Sequence, residues 1–385
     1  MNHLNMLVRR IAAGSVAAYR SMPGRVRSAS FYSLLLAGTL LACEDHREPF
    51  QGQQIQATGP KPDYAPTIQP QMLAVIEELG RLAPTPLEQL PPAEARKQPT
   101  FKDAVNSLLD KNKIPRPTAN VTSSQRTIPG YNNVPIRVVV YTPNVPTGPL
   151  PVIVYYHGGG WVIGSPEVYE NSTLALAEET GAIVVSVDYR LSPENKFPTA
   201  HYDAYAAYEW VRNNTASLNG NPDKVAIAGE SAGGNMAVWV SMMARTRKLP
   251  LPAHILSVYP VANNDLFTPS YNQYANAKPL SRPLVEYFVA NYFNSPADGE
   301  TPLISLIDAG TDLSGLPPTT IIAAEIDPLQ TEGQQLRDKL QSQGVSVTYQ
   351  LYTGVTHEFF GMYAIVPEAQ QAQALAATQL RNAFN

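Results

Sequence analysis

From Asn133 onward the chain alternates two kinds of segment, and this alternation restricts its fold more than any other feature. Seven runs rich in β-branched and aromatic residues recur: "VPIRVVVYTP", "PVIVYYH", "AIVVSVDY", "KVAIAG", "AHILSVYP", "PTTIIAAE" and "VSVTYQLY". Most are separated by helix-patterned stretches such as residues 199–213. Several are apolar without interruption, which suits strands covered by helices on both faces. The pattern predicts a mostly parallel, doubly wound α/β sheet, with ligands sitting outside the carboxyl ends of its strands. At 385 residues, 44% hydrophobic and 16% charged, the chain can bury such a core and is not generally disordered.

One strand leads into an unusual turn. "KVAIAG" is followed by Glu230, Ser231, Ala232 and Gly233, so Gly229 to Gly233 reads G-x-S-x-G between a strand and a helix. Small residues at 229 and 233 let strand and helix pass closely, which lifts the Ser231 hydroxyl to the sheet edge on a strained backbone. A glycine-rich turn of this kind can also bind phosphate or simply pack. A hydroxyl is a poor nucleophile without a base, so the functional reading requires partners.

Three partners are visible. The strand ending at Tyr156 runs into His157-Gly158-Gly159-Gly160-Trp161, where glycines free backbone N–H groups to face a developing negative charge. G-x-G-x-x-G is absent, which argues against a dinucleotide loop. Asp327 lies just past "PTTIIAAE", at the edge that carries Ser231; Glu325 is the alternative acid. Asp327 also stands where it would cap the following helix, and one side chain is not expected to serve both purposes. Of six histidines, His3 and His46 fall in the amino-terminal segments, and His201 on a helix and His254 in a strand read as satisfied core residues. His157 braces the glycine loop. His357, on a loop after the last strand, remains as the base, and the order Ser, Asp, His fits.

Together, His157 to Trp161, "DYRLSPENKFP" from Asp188, "GESAGGN" from Gly229, "DPLQTEG" from Asp327 and "HEFFGM" from His357 resemble the hormone-sensitive-lipase-like branch of α/β-hydrolase esterases, over roughly residues 75–385. The resemblance implies Ser231 as nucleophile, His357 as general base and acid, and Asp327 as the residue orienting the imidazole. It implies oxyanion N–H groups from Gly159, Gly160 and Ala232, and a helical cap from residues 72–112 and about 265–300. Ser192 and Asn195 stand where the family more often has Ala and His, and Gln330-Thr331 where it has Arg-Asp. Trp161, Tyr189, Phe359 and Phe360 are candidates for the pocket lining. The implied function is a serine carboxylic-ester hydrolase acting on short- to medium-chain acyl esters, with no metal or cofactor. A non-catalytic ligand receptor or a surface lipoprotein on the same fold is the alternative.

The amino terminus differs in kind. Arg25 and Arg27 precede the apolar run Phe31 to Ala42, which has the length of a signal-peptide core and is too short to span a bilayer. Leu40-Leu41-Ala42-Cys43 resembles the lipobox of bacterial lipoproteins, which implies lipidation at Cys43, the chain's single cysteine, and a membrane-anchored protein of a bacterial cell envelope. An ordinary secretory signal is the alternative, and either Met1 or Met22 can be the start. Residues 1–42 therefore read as a signal peptide, the Gln- and Pro-rich 43–71 as a flexible tether, and 72–385 as the hydrolase domain. Five of the 28 basic residues precede Cys43, leaving 23 against 32 acidic ones in the remainder, a surface unsuited to nucleic acid.

Overall fold

The computed structural model describes residues 51–145 and 148–385. The segment read as a signal peptide, Cys43 and the first part of the expected tether lie outside the described residues.

All seven predicted strands form, as β2 (Pro135–Pro143), β3 (Leu150–Tyr156), β4 (Ile183–Asp188), β5 (Gly220–Glu230), β6 (Ile255–Val258), β7 (Thr319–Ile326) and β8 (Val347–Thr356). They are joined by β1 (Val121–Pro129), which no apolar run announced. The eight strands make one sheet in the order β1-β2-β4-β3-β5-β6-β7-β8. β1 pairs antiparallel with β2 and β2 with β4; every other pairing is parallel.

Among the described residues, ten α-helices accompany the sheet: α1 (Pro70–Leu82), α2 (Pro92–Ala95), α3 (Phe101–Lys111), α4 (Glu170–Thr180), α5 (Thr199–Asn214), α6 (Ala232–Thr246), α7 (Pro269–Gln273), α8 (Arg282–Tyr292), α9 (Gln330–Ser342) and α10 (Pro367–Phe384). The uninterrupted apolar runs are explained by what they face. Val152, Val154 and Tyr156 of β3 join a core layer with α5, α6, α8 and α9, while Ile153 and Tyr155 face a second layer with α1, α3, α4 and α10. Each fully buried Val or Ile contributes roughly 1.5–3 kcal/mol, so a strand wet on one side would forfeit about half of this.

The ordered chain begins earlier than Met72. Ile55, Ala65 and Ile68 are buried in the second layer, Glu77 of α1 accepts from the Thr58 and Gly59 N–H groups at 2.8 and 2.7 Å, and the Gln69 N–H donates to the Gly354 carbonyl at 2.8 Å. From residue 55 on, the segment expected to be a tether is therefore part of the folded body. His254 is corrected more lightly: it precedes β6 instead of lying within it, and its Nε2 lies 2.9 Å from the Thr320 hydroxyl.

Candidate active site

The parallel strands end at one edge, and that edge collects the polar groups. Ser231 follows β5 and opens α6 with φ 57° and ψ −117°, a conformation unfavourable for a residue with a side chain. Backbone bonds hold it there: the Ser231 N–H donates to Val258 O at 2.9 Å, and its carbonyl accepts from Asn235 N–H at 3.1 Å. Asp327 is the residue after β7 and His357 the residue after β8. Because Ile326 and Thr356 are partners in the register, the two side chains start side by side.

Their geometry joins the three groups. His357 Nδ1 lies 2.7 Å from Asp327 Oδ2, and Nε2 lies 2.9 Å from Ser231 Oγ. A carboxylate can only accept, so Nδ1 carries the proton and Nε2 presents its lone pair to the serine hydroxyl. Asp327 Oδ1 meanwhile accepts from the Leu329 N–H at 2.9 Å. Asp327 does not cap α9, whose N-cap is Leu329 without a side-chain cap bond; its second oxygen closes the turn ahead of the helix, so the expectation that one side chain would not serve as both helix cap and partner of the histidine holds. Glu325, the alternative acid, is engaged elsewhere by Thr67 Oγ1 at 3.0 Å and the Gly354 N–H at 2.6 Å.

Burial alone would depress the His357 pKa, but the Asp327 carboxylate, and behind it Glu358 and Glu230, reverse this and raise it above 6.5. Tyr259 packs its ring on the imidazole with centroids 4.5 Å apart and donates its hydroxyl to Glu230, as Tyr155 does from the other side.

The glycine loop after β3 curls back on itself, with Gly159 O accepting from the Val162 and Ile163 N–H groups at 3.0 and 2.9 Å. Gly159 and Gly160 have φ of 102° and 58°, and a Cβ at Gly160 would come within 2.3 Å of the Phe288 ring. His157 Nδ1 lies 2.8 Å from Gly158 O, its ring stacks on Tyr189 at 4.2 Å, and the Tyr189 hydroxyl donates to His157 O at 2.8 Å.

Two cavities meet at Ser231. One, of about 370 Å³, is walled mainly by the segment between β6 and β7, including Val285, Val289 and Phe293, and by Trp161. The other, of about 600 Å³, runs beneath the segment from α1 to α3 and is bordered by His357 and Glu358. Gly160, Ser231, Leu280 and Phe288 border both. Both predicted cap segments therefore wall the site. Of the four predicted lining residues only Trp161 borders either cavity. Tyr189 instead braces the glycine loop, and Phe359 and Phe360 are fully buried in the second core layer, where the turn after His357 points them. The walls that sequence reasoning missed, Leu284 and Phe288, form with Tyr292 a buried stripe at four-residue spacing along α8, a periodicity visible in the sequence.

With the site laid out, the comparisons can be read against it. Residues 153–361 match the family described as the alpha/beta hydrolase fold. A carboxylesterase from Mycobacterium tuberculosis is 37% identical over 258 residues, covering 66% of this chain and 80% of that protein. The chain belongs to the α/β-hydrolase esterases. An ethyl acetate hydrolase from Pseudomonas putida is 30% identical to this esterase over 320 residues, 82% of this chain and 99% of the relative. In three dimensions the esterase is similar to a thermostable esterase from Pseudomonas putida, with a TM-score of 0.76 at 31% identity over 83% of this chain and 99% of the other.

Proposed function

We propose that this serine ester hydrolase cleaves carboxylic esters through an acyl-enzyme on Ser231, with His357 as base and acid and Asp327 as the group that orients it. The observation that carries this reading is the two-sided bonding of His357, 2.9 Å to Ser231 Oγ and 2.7 Å to Asp327 Oδ2. Ser231 Oγ attacks the ester carbonyl as its proton passes to His357 Nε2. The Gly159, Gly160 and Ala232 N–H groups hold the tetrahedral oxyanion; both glycines border the cavity beside Ser231, and the Ala232 N–H, in the first turn of α6, has no intrahelical partner. His357 then hands the proton to the departing alcohol. Water repeats the sequence on the acyl-enzyme and releases the acid.

The position of His357 also orients the substrate. The group that protonates the leaving alcohol borders the larger cavity, so the alcohol lies there and the acyl chain enters the smaller one. At about 370 Å³ that cavity is near the lower end of small-molecule sites, which supports short to medium acyl chains. A panel of p-nitrophenyl esters from acetyl to dodecanoyl, with ethyl and bulkier butyrates, tests this. We expect kcat/KM to fall beyond medium acyl length while larger alcohols are tolerated; rates that climb through the longest acyl chains would refute the assignment.

For the amino terminus, we infer export and lipid attachment at Cys43, supported by the basic residues, the apolar run and the Leu40-Leu41-Ala42-Cys43 sequence. Cells fed labelled fatty acid are expected to label the wild-type chain and not Cys43→Ala. Equal labelling of both rejects the anchor.

A further inference from the structure

The residue directly after the base has a backbone that favours glycine and yet carries a carboxyl. Glu358 sits at φ 70° and ψ 3°. Its Oε1 accepts from the Tyr169 hydroxyl at 2.7 Å, while Oε2 is shut off from solvent without a hydrogen-bond partner. A left-handed backbone and a half-satisfied enclosed carboxyl both oppose folding, and a glycine would avoid both. Such strain persists where the surroundings enforce it, and it gathers at functional sites.

The surroundings are specific. Near enough to Glu358 to interact through their charges are His357 on its own loop, Glu230 at the end of β5 and Asp327 after β7, with the hydroxyls of Tyr155, Tyr189 and Tyr259 from β3, the end of β4 and the end of β6, while Tyr169 ahead of α4 bonds it directly. Apart from the imidazole, every charged group in this set is acidic. Glu230 has both oxygens occupied by the Tyr155 and Tyr259 hydroxyls, whereas Glu358 keeps one oxygen free of hydrogen bonds.

We propose that Glu358 is a positioning residue for the base: with Asp327, its carboxyl supports the charged form that the His357 ring takes when Ser231 surrenders its proton. The proposal rests on the reading of His357 as base. Asp327 holds the ring by a hydrogen bond; Glu358 acts through its charge, at a position where low polarity strengthens the interaction. Burial pushes the Glu358 carboxyl up to about 7, and the neighbouring His357, whose own pKa is raised above its ordinary value, pulls it back toward the charged form. Removing the charge destabilises the imidazolium and lowers the His357 pKa. The acid limb of kcat/KM, where activity is lost as His357 takes up a proton, then moves to lower pH. The transition state, which carries the imidazolium, loses support as well.

The test is the pH profile of p-nitrophenyl butyrate hydrolysis by wild type, Glu358→Gln and Glu358→Gly, with thermal melts of all three. In both variants we expect the acid limb to shift down by about half a pH unit or more and the plateau kcat to fall roughly tenfold. Glu358→Gly should melt no lower than wild type, because glycine relaxes the φ of 70°. Profiles that superimpose on wild type in position and height overturn the proposal, as does a loss of rate that only tracks a loss of folded protein. A Ser231→Ala protein with no activity beside such unchanged profiles leaves the triad reading standing and rejects only the role of Glu358.

Discussion

Ser231→Ala is expected to fold like the wild type and to lose on the order of 10⁶ in kcat toward p-nitrophenyl butyrate. The loss is large because the hydroxyl is the reacting group and, among the described residues, Ser231 Oγ is the side-chain oxygen bonded to His357 Nε2. The fold should survive because the backbone bonds that pin residue 231, from its N–H to Val258 O and from Asn235 N–H to its carbonyl, do not involve Oγ. A melting temperature within about 3 °C of wild type would establish this. Turnover near the wild-type level in this variant would remove Ser231 from the mechanism.

Gly233→Ala is expected to destroy the fold. A Cβ at 233 would lie 2.0 Å from Tyr156 O, 2.6 Å from Tyr156 C and 2.7 Å from His157 O, all backbone atoms that cannot rotate away. The clash would force α6 from the end of β3, where the glycine loop starts, so nucleophile and loop would separate together. Overpacking against backbone costs several kcal/mol, a large share of the roughly 5–15 kcal/mol that hold a domain together. We expect little soluble protein, or a melting temperature lowered by about 10 °C or more. Gly310→Ala is the control, since a Cβ there meets nothing within 4 Å. Equal melting temperatures for the two variants would contradict the close approach of strand and helix.

Gly233 shows why much of the fold was legible. A residue type dictated by backbone contact, like Gly233, or by burial on both faces, like the runs of β3 to β5, leaves its mark on local sequence. β1 left none: its faces are largely exposed, and it is held through nine register partners from Val121↔Pro143 to Pro129↔Pro135, which only the folded chain supplies. Residues 55–69 were misread for a similar reason. Three scattered apolar side chains and a few bonds to Glu77 and Gly354 dock them, without any period to recognise.

At the site, motif order points to Ser231, Asp327 and His357, and the three meet because each follows a strand that ends at the same edge. Proximity to a motif was a poorer guide to the pocket. Phe359 and Phe360 follow His357 but turn into the core, while the walls arrive on α8 from a distant insertion. The left-handed backbone of Glu358 has no local signature at all.

The most direct measurement is to treat the enzyme with diethyl p-nitrophenyl phosphate, which phosphorylates an activated serine, and to locate the added mass by peptide mass spectrometry. A single diethylphosphoryl group on the peptide containing Ser231, lost when His357 is replaced by Ala and absent from Ser231→Ala, is the predicted result. A group found on another residue, or retained in Ser231→Ala, would contradict the account.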